Sequence, residues 1–123
     1  GEDTLYGDTG NDSLSGGSGS DSFVFNTGIE TGEFDLIIDF SAMQDTIILD
    51  DEIFYGLSKG LLARSGFAAN SWGSATDSLD RIIYEADTGK LFFDKDGKGG
   101  FVGIHFATLE TGLSLSASNF FVI

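Results

Sequence analysis

The amino-acid sequence predicts an all-β fold, and three observations support this prediction. The first 24 residues repeat with a period of nine, and each unit joins a glycine-rich stretch to a short apolar run. Further along, apolar runs alternate with turn sequences that contain glycine or aspartate. The chain of 123 residues is 41% hydrophobic and 13% aromatic, a globular composition that suffices for one modest core. We therefore expect stacked short strands followed by a mostly antiparallel β-sandwich or meander.

The nine-residue repeat keeps three kinds of residue in phase. Glycines recur in two sets, an aspartate ends each glycine-rich stretch, and a large apolar residue follows two places after each aspartate. The glycines are Gly1, Gly10 and Gly19, with Gly7 and Gly16; the aspartates are Asp3, Asp12 and Asp21; and the apolar residues are Leu5, Leu14 and Phe23. A flexible linker would not keep these residue types at a nine-residue spacing, so we interpret the segment as structured.

Each half of the unit has a physical role. Glycine allows the positive-φ turns of a tight loop, and the apolar residue is the inward-facing residue of a short strand. Stacked units would line up the aspartates and the loop carbonyls along one edge. These are hard oxygen ligands of the kind that Ca²⁺ prefers, and turn capping by the same aspartates is compatible with metal binding.

The repeat resembles a known family. Residues Gly16–Val24 match the nonapeptide G-G-x-G-x-D-x-U-x at every specified position, and Gly7–Ser15 departs from it only at Asp8. This pattern resembles the RTX (repeat-in-toxin, hemolysin-type) calcium-binding repeat. The resemblance implies that the strands wind a short parallel β-roll.

The resemblance also implies which residues bind calcium. In the family, each ion lies between two loops that are two repeats apart and takes backbone carbonyls and one aspartate from each. One site would use Gly1 and Asp3 with Gly16, Ser18 and Asp21. A second would use Asp8, Gly10 and Asp12, closed by residues beyond the last full repeat. A third would use Gly17, Gly19 and Asp21, closed by Glu30 or Asp35.

The segment after the repeats supports the last assignment. The sequence D-L-I-I-D-F-S, followed by D-T-I-I-L, resembles the segment after the last repeat of serralysin-type metalloproteases and secreted RTX lipases. In that family two acidic residues close the terminal sites, which implies Glu30 and Asp35 here, although Glu30 replaces the usual aspartate. Asp39 and Asp45 each flank a turn between apolar strands, and we interpret both as structural.

The remaining elements follow from apolar periodicity and turn residues. We expect buried strands at 34–40 and 45–49 and one or two helical turns at 50–57. Residues 81–85 and 90–94 predict a β-hairpin with Gly89 in its turn, and 101–107 predict a third antiparallel strand. A last apolar strand is expected at 119–123.

Charge and composition exclude several classes of protein. Lys and Arg total 6 and Asp and Glu total 20, which gives a net charge of −14 and argues against nucleic-acid partners. The same charge makes a compact state repel itself unless cations such as Ca²⁺ neutralise it. There is no cysteine, so the domain cannot be stabilised by disulfide bonds, and a bound metal ion is the usual substitute.

Sequence motifs for catalysis, and for metal sites outside the repeats, are weak. The stretch Asp94–Gly99 resembles an EF-hand loop, but Lys98 and His105 occupy ligand positions, so a hairpin turn fits better. His105 is the only histidine, and no zinc or serine-hydrolase motif accompanies it. We expect a non-catalytic module.

The resemblance implies a function and a location. We expect residues 1–25 to be the last coils of the roll and 26–123 a capping and secretion-signal region. Asn119–Ile123 resembles the uncleaved C-terminal signal for type I secretion. The expected protein is a secreted or surface module of a Gram-negative-type bacterium, monomeric and joined to upstream domains of a larger protein. It would contact the secretion machinery transiently and fold on binding Ca²⁺ outside the cell. The alternative is a glycan- or surface-binding module of an adhesin or a polysaccharide-modifying enzyme, with purely structural Ca²⁺, in which Trp72 and Tyr84 contact glycan.

Overall fold

The computed structural model describes residues 2–7, 10–27, 34–71, 80–95 and 103–123. These residues form eleven short strands and two single-turn 3-10 helices, at Arg64–Gly66 and Ala117–Asn119. The strands are β1 Thr4–Tyr6, β2 Ser13–Leu14, β3 Ser22–Phe25, β4 Asp35–Ile37, β5 Thr46–Leu49, β6 Gly60–Leu61, β7 Phe67–Asn70, β8 Ile82–Glu85, β9 Lys90–Phe93, β10 Ile104–Thr108 and β11 Phe120–Val122. The predicted all-β class is confirmed.

The strands form two sheets, and the first five strands alternate between them. The first sheet has the order β1-β3-β5-β11-β6, and the second has the order β2-β4-β10-β9-β8-β7. Within each sheet the strands from β1 to β5 are parallel. This alternation is a parallel β-roll, because each turn of the chain adds one strand to each sheet.

The roll runs on past the glycine-rich repeats. Strand β4 pairs with β2, and β5 pairs with β3, both in parallel. In register, Leu5 faces Phe23, and Phe23 faces Ile47. The strands expected in the segment 34–49 are present as β4 and β5, and they extend both sheets of the roll. The reason is that 35–37 and 45–47 keep the triplet Asp-x-apolar of the repeats without the glycine loop.

Apolar side chains from both sheets fill the space between them. Phe23, Ile37 and Ile47 are fully buried there, at the inward positions that the repeat predicts. Phe54 lies edge-on to Phe93 and Phe106, with ring centroids 5.2 and 4.9 Å apart. Such edge-to-face pairs are favourable for aromatic rings. A continuous core therefore joins the roll to the strands that follow it.

The predicted antiparallel meander is confirmed. Strands β8 and β9 pair in antiparallel fashion, and β10 pairs with the other edge of β9. Gly89 lies in the first turn with φ +81°, and a Cβ there would lie 2.0 Å from the carbonyl oxygen of Leu109. The turn after Asp94 lies partly outside the described residues, since they stop at 95 and resume at 103. Strands β9 and β10 on either side of it support the hairpin interpretation over an EF-hand.

The later elements also follow the predictions. Residues 50–57 form hydrogen-bonded turns, in which the amides of Ile53 and Phe54 donate to the carbonyl of Asp50 at 3.0 and 2.8 Å, as in one helical turn. The amides of Asp50 and Asp51 donate instead to carbonyls of Phe25 and Ile123 at the sheet. The predicted last strand is confirmed as β11, and it is an interior strand of the first sheet. It lies between β5, to which it is parallel, and β6, to which it is antiparallel. In the described residues, no helix is long and apolar enough to span a membrane.

Candidate calcium site

Five aspartates form two ladders along the edges of the roll. Each lies at the start of its strand or directly before it: Asp3, Asp21 and Asp45 in the first sheet, and Asp12 and Asp35 in the second. The amide N–H of Asp3 donates to Oδ1 of Asp21 at 2.9 Å, and that of Asp21 donates to Oδ1 of Asp45 at 2.9 Å. The amide of Asp12 donates to Oδ1 of Asp35 at 3.0 Å. Each of these three amides is thus bonded to the next aspartate of the same sheet, one full coil further along the chain.

A second hydrogen bond accompanies each step of the ladders. The carbonyl oxygens of Asp3, Asp12 and Asp21 accept from the amides of Ser22, Leu36 and Thr46, at 2.8, 2.7 and 2.9 Å. Both backbone groups of these aspartates are therefore engaged. In the side chain of Asp21, Oδ1 also accepts the amide of Asp3, which leaves Oδ2 for another partner.

Two carboxylate oxygens of the ladders are buried and have no hydrogen-bond donor among the residues that the structure describes. They are Oδ2 of Asp21, a residue that is only 1% exposed, and Oδ2 of Asp12. A carboxylate oxygen that is removed from water without compensation is costly. A cation beside each oxygen would remove that cost, so the donor set fits a hard divalent ion.

Glycines make room for the carboxylates. A Cβ on Gly7 would lie 1.8 Å from Oδ2 of Asp35, and a Cβ on Gly16 would lie 2.3 Å from Oδ2 of Asp21. Any side chain at Gly7 or Gly16 would therefore collide with a ladder carboxylate. Elsewhere in the loops, Gly10, Gly17 and Gly19 have φ of 92°, 78° and 97°, which confirms the predicted positive-φ turns.

The turn between β4 and β5 also supplies carboxylates to the third repeat loop, 16–21. Asp39 accepts from the amides of Gly16 and Gly17, at 3.0 and 2.8 Å, and from the Ser15 hydroxyl at 2.7 Å. The Ser15 hydroxyl and then the two amides lower the pKa of the Asp39 carboxyl, against the opposing effect of desolvation. Asp45 is only 3% exposed and also accepts from the amide of Ser41 at 2.8 Å.

The structure describes the surroundings of several predicted ligands. Asp3 and Asp21 are in contact, beside a cleft of ≈ 330 Å³ that Glu2 also lines. Asp35 lies against Gly7 and Asp12, which belong to the second repeat unit and its neighbourhood. Gly1, Asp8 and Glu30 lie outside the described residues. The assignment of individual ligands stays a prediction.

The arrangement relies on backbone as much as on side chains. Among the residues that the structure describes, no three histidine, cysteine or acidic groups come together as a metal cluster. An ion here would therefore take carboxylate oxygens in pairs and complete its shell with loop carbonyls. Such mixed oxygen shells of six to eight ligands are usual for Ca²⁺.

Sequence reasoning assigned Asp45 and Asp39 to turns and did not connect them with the repeat loops. Asp45 does cap the turn, by accepting from the amide of Ser41, and both aspartates also bond to the third loop. A signal for Asp45 was present in the sequence, because Asp45-Thr46-Ile47 repeats the Asp-x-apolar triplet at a longer spacing. Nothing comparable marks Asp39, whose contact depends on how the chain turns after β4.

Two other candidate residues, Tyr84 and His105, make contacts within the protein. Tyr84 is fully buried; its hydroxyl donates to the carbonyl of Glu110 and accepts from the amide of Leu113. The expectation that Tyr84 contacts glycan is therefore wrong. His105 stacks on Phe34 with ring centroids 4.2 Å apart, and its Nε2 lies 2.8 Å from Oγ1 of Thr108. Trp72 lies outside the described residues.

Comparisons with known proteins support the identity of the metal. Residues 1–29 match the family model of the RTX calcium-binding nonapeptide repeat (4 copies). Comparison with curated proteins and with solved structures finds no significant match. The family match supports an RTX repeat protein, and RTX nonapeptide repeats bind calcium ions. The N-terminal coils are thus a calcium-binding module, in agreement with the unpaired carboxylate oxygens of Asp12 and Asp21.

Proposed function

We propose that this chain is a module of a larger secreted protein, that it folds when it binds Ca²⁺ outside the cell, and that it is not itself catalytic. The observation that carries the proposal is the buried, unpartnered Oδ2 of Asp21. Without a cation, the stacked carboxylates of the roll repel one another in a chain of net charge −14. With Ca²⁺, the same carboxylates become ligands, and binding free energy becomes folding free energy.

The proposal links folding to export. Extracellular calcium sites with dissociation constants of about 10⁻⁴ to 10⁻³ M stay empty at cytosolic calcium levels. The chain would then remain unfolded until a type I secretion system has passed it through. The apolar segment 119–123, which we propose as the secretion signal, has Phe120 and Val122 buried in the first sheet. A signal buried in this way is accessible only before folding, which supports the order of export first and folding second.

The continuity of the fold supports a role in stabilising the parent protein. The core runs from the repeat strands into the meander, so formation of the roll and formation of the remaining strands are coupled. Calcium bound at the repeats would therefore stabilise the whole module. A glycan-binding function has lost one of its two predicted contacts, because Tyr84 is buried.

Circular dichroism and thermal melts test the proposal. We expect little β-structure in EDTA and a cooperative melting transition in millimolar Ca²⁺, with Mg²⁺ at the same ionic strength as the control. The octahedral geometry of Mg²⁺ suits an all-protein oxygen site poorly, so it should not restore the fold. Identical spectra and melts in EDTA and in Ca²⁺ would refute the proposal.

A further inference from the structure

The turn that joins β4 to β5 places a carboxylate behind the third repeat loop. Asp39 receives the amide N–H of Gly16 on Oδ1 at 3.0 Å and that of Gly17 on Oδ2 at 2.8 Å. The Ser15 hydroxyl donates to the same Oδ2 at 2.7 Å. Three donors from three consecutive residues thus converge on one side chain that lies outside the repeats.

These bonds fix the direction of a carbonyl that is a predicted calcium ligand. The N–H of Gly17 and the C=O of Gly16 belong to one planar trans peptide group, so they point in opposite directions. With the N–H held on Asp39, the Gly16 carbonyl points away from Asp39. The peptide group then lies between an anion on its N–H side and the predicted cation on its carbonyl side, and both interactions favour the same orientation.

We propose that Asp39 is a positioning residue for calcium: it holds the 15–17 backbone so that the Gly16 carbonyl is presented to the ion. This inference rests on the proposed function and adds a residue that the repeat pattern does not contain. Asp45 holds the other end of the same loop, through the amide of Asp21 at 2.9 Å. The third loop is therefore held at both ends by carboxylates of one turn.

The test is the nearly isosteric variant Asp39→Asn. An amide side chain has a single acceptor oxygen, so one of the two backbone amides must face an NH₂ group. We expect the calcium concentration at the folding midpoint to rise about tenfold, the scale of a lost hydrogen bond to a charged group. The backbone ¹³C shift of the Gly16 carbonyl should move on calcium binding in the native protein and move much less in Asp39→Asn.

Matched variants separate positioning from general destabilisation. Leu91→Ala opens a cavity in the buried meander, away from the loops, and lowers stability without touching the ligands. It should leave the Gly16 carbonyl shift intact. Asp50→Asn removes a carboxylate that accepts the turn amide of Glu52 at 2.9 Å, and it should behave like the native protein.

Each outcome decides the matter. Two results together support the positioning role. The calcium-induced shift of the Gly16 carbonyl is lost in Asp39→Asn and in neither control variant. The calcium midpoint also rises more in Asp39→Asn than in Leu91→Ala, when the two are compared at equal loss of stability. A native Gly16 shift in Asp39→Asn, or a midpoint that merely follows stability, overturns it while leaving the proposed function standing. A native protein without any calcium response overturns both.

Discussion

Asp35 offers the sharpest test of how far the calcium sites extend beyond the repeats. It lies after the last glycine-rich loop, yet it is only 5% exposed and accepts the amide of Asp12 at 3.0 Å. Its Oδ2 fills the space that the missing side chain of Gly7 leaves open. Replacement by asparagine keeps the shape and removes the negative charge. We expect Asp35→Asn to weaken calcium-dependent folding.

The expected size follows from the contacts that are lost. A hydrogen bond to a charged group contributes about 1.5–3 kcal/mol, so weakening this bond alone would cost up to that amount. Each 1.4 kcal/mol corresponds to a factor of ten in binding, so the calcium midpoint should rise about ten- to a hundredfold. Loss of a carboxylate ligand acts in the same direction, because the charge of the ligands tunes calcium affinity.

The assay is a calcium titration of the folding transition, followed by circular dichroism. Asp94→Asn is the matched control, since Asp94 is also buried, at 3% exposure, but follows strand β9 in the meander. Asp94→Asn should lower the melting temperature at saturating Ca²⁺, with a far smaller shift of the calcium midpoint. Equal midpoint shifts in the two variants would refute the reasoning, because Asp35 would then be one buried carboxylate among others.

Two further predictions concern the loop glycine and the single histidine. Gly7→Ala should reproduce the higher calcium midpoint of Asp35→Asn, because its Cβ would push the Asp35 carboxylate off Asp12; a native titration curve would contradict this packing. Burial first, and Lys90 second, lower the pKa of His105, while a backbone contact of Ala107 and Glu85 oppose this. The unfolded chain therefore takes up a proton first, and stability should fall as the pH drops below about 6.5. Urea unfolding at saturating Ca²⁺ should show this slope in the native protein and lack it in His105→Phe; equal slopes would count against it.

Much of the fold could be predicted because local signals and global arrangement agree. The nine-residue phase of Asp12 and Asp21 predicted stacked coils, and the turn at Gly89 predicted the hairpin that the structure contains. Predictions were poorer where partners are distant in sequence. Strand β11 could be predicted from its apolar residues, but its position between β5 and β6 depends on partners far away in the chain.

The candidate site likewise has features that depend on local sequence and features that depend on contacts between distant residues. The loops, the in-phase aspartates and the choice of calcium could be predicted from the sequence, because these depend on residue type at a fixed local spacing. The contacts of Asp35 with Asp12 and of Asp45 with Asp21 are visible only in the folded chain, since both depend on the register of parallel strands. It also decided the role of Asp39, whose partners lie 22 to 24 residues earlier in the chain. A parallel roll brings such residues together only after a full coil has closed, and no local pattern records that contact.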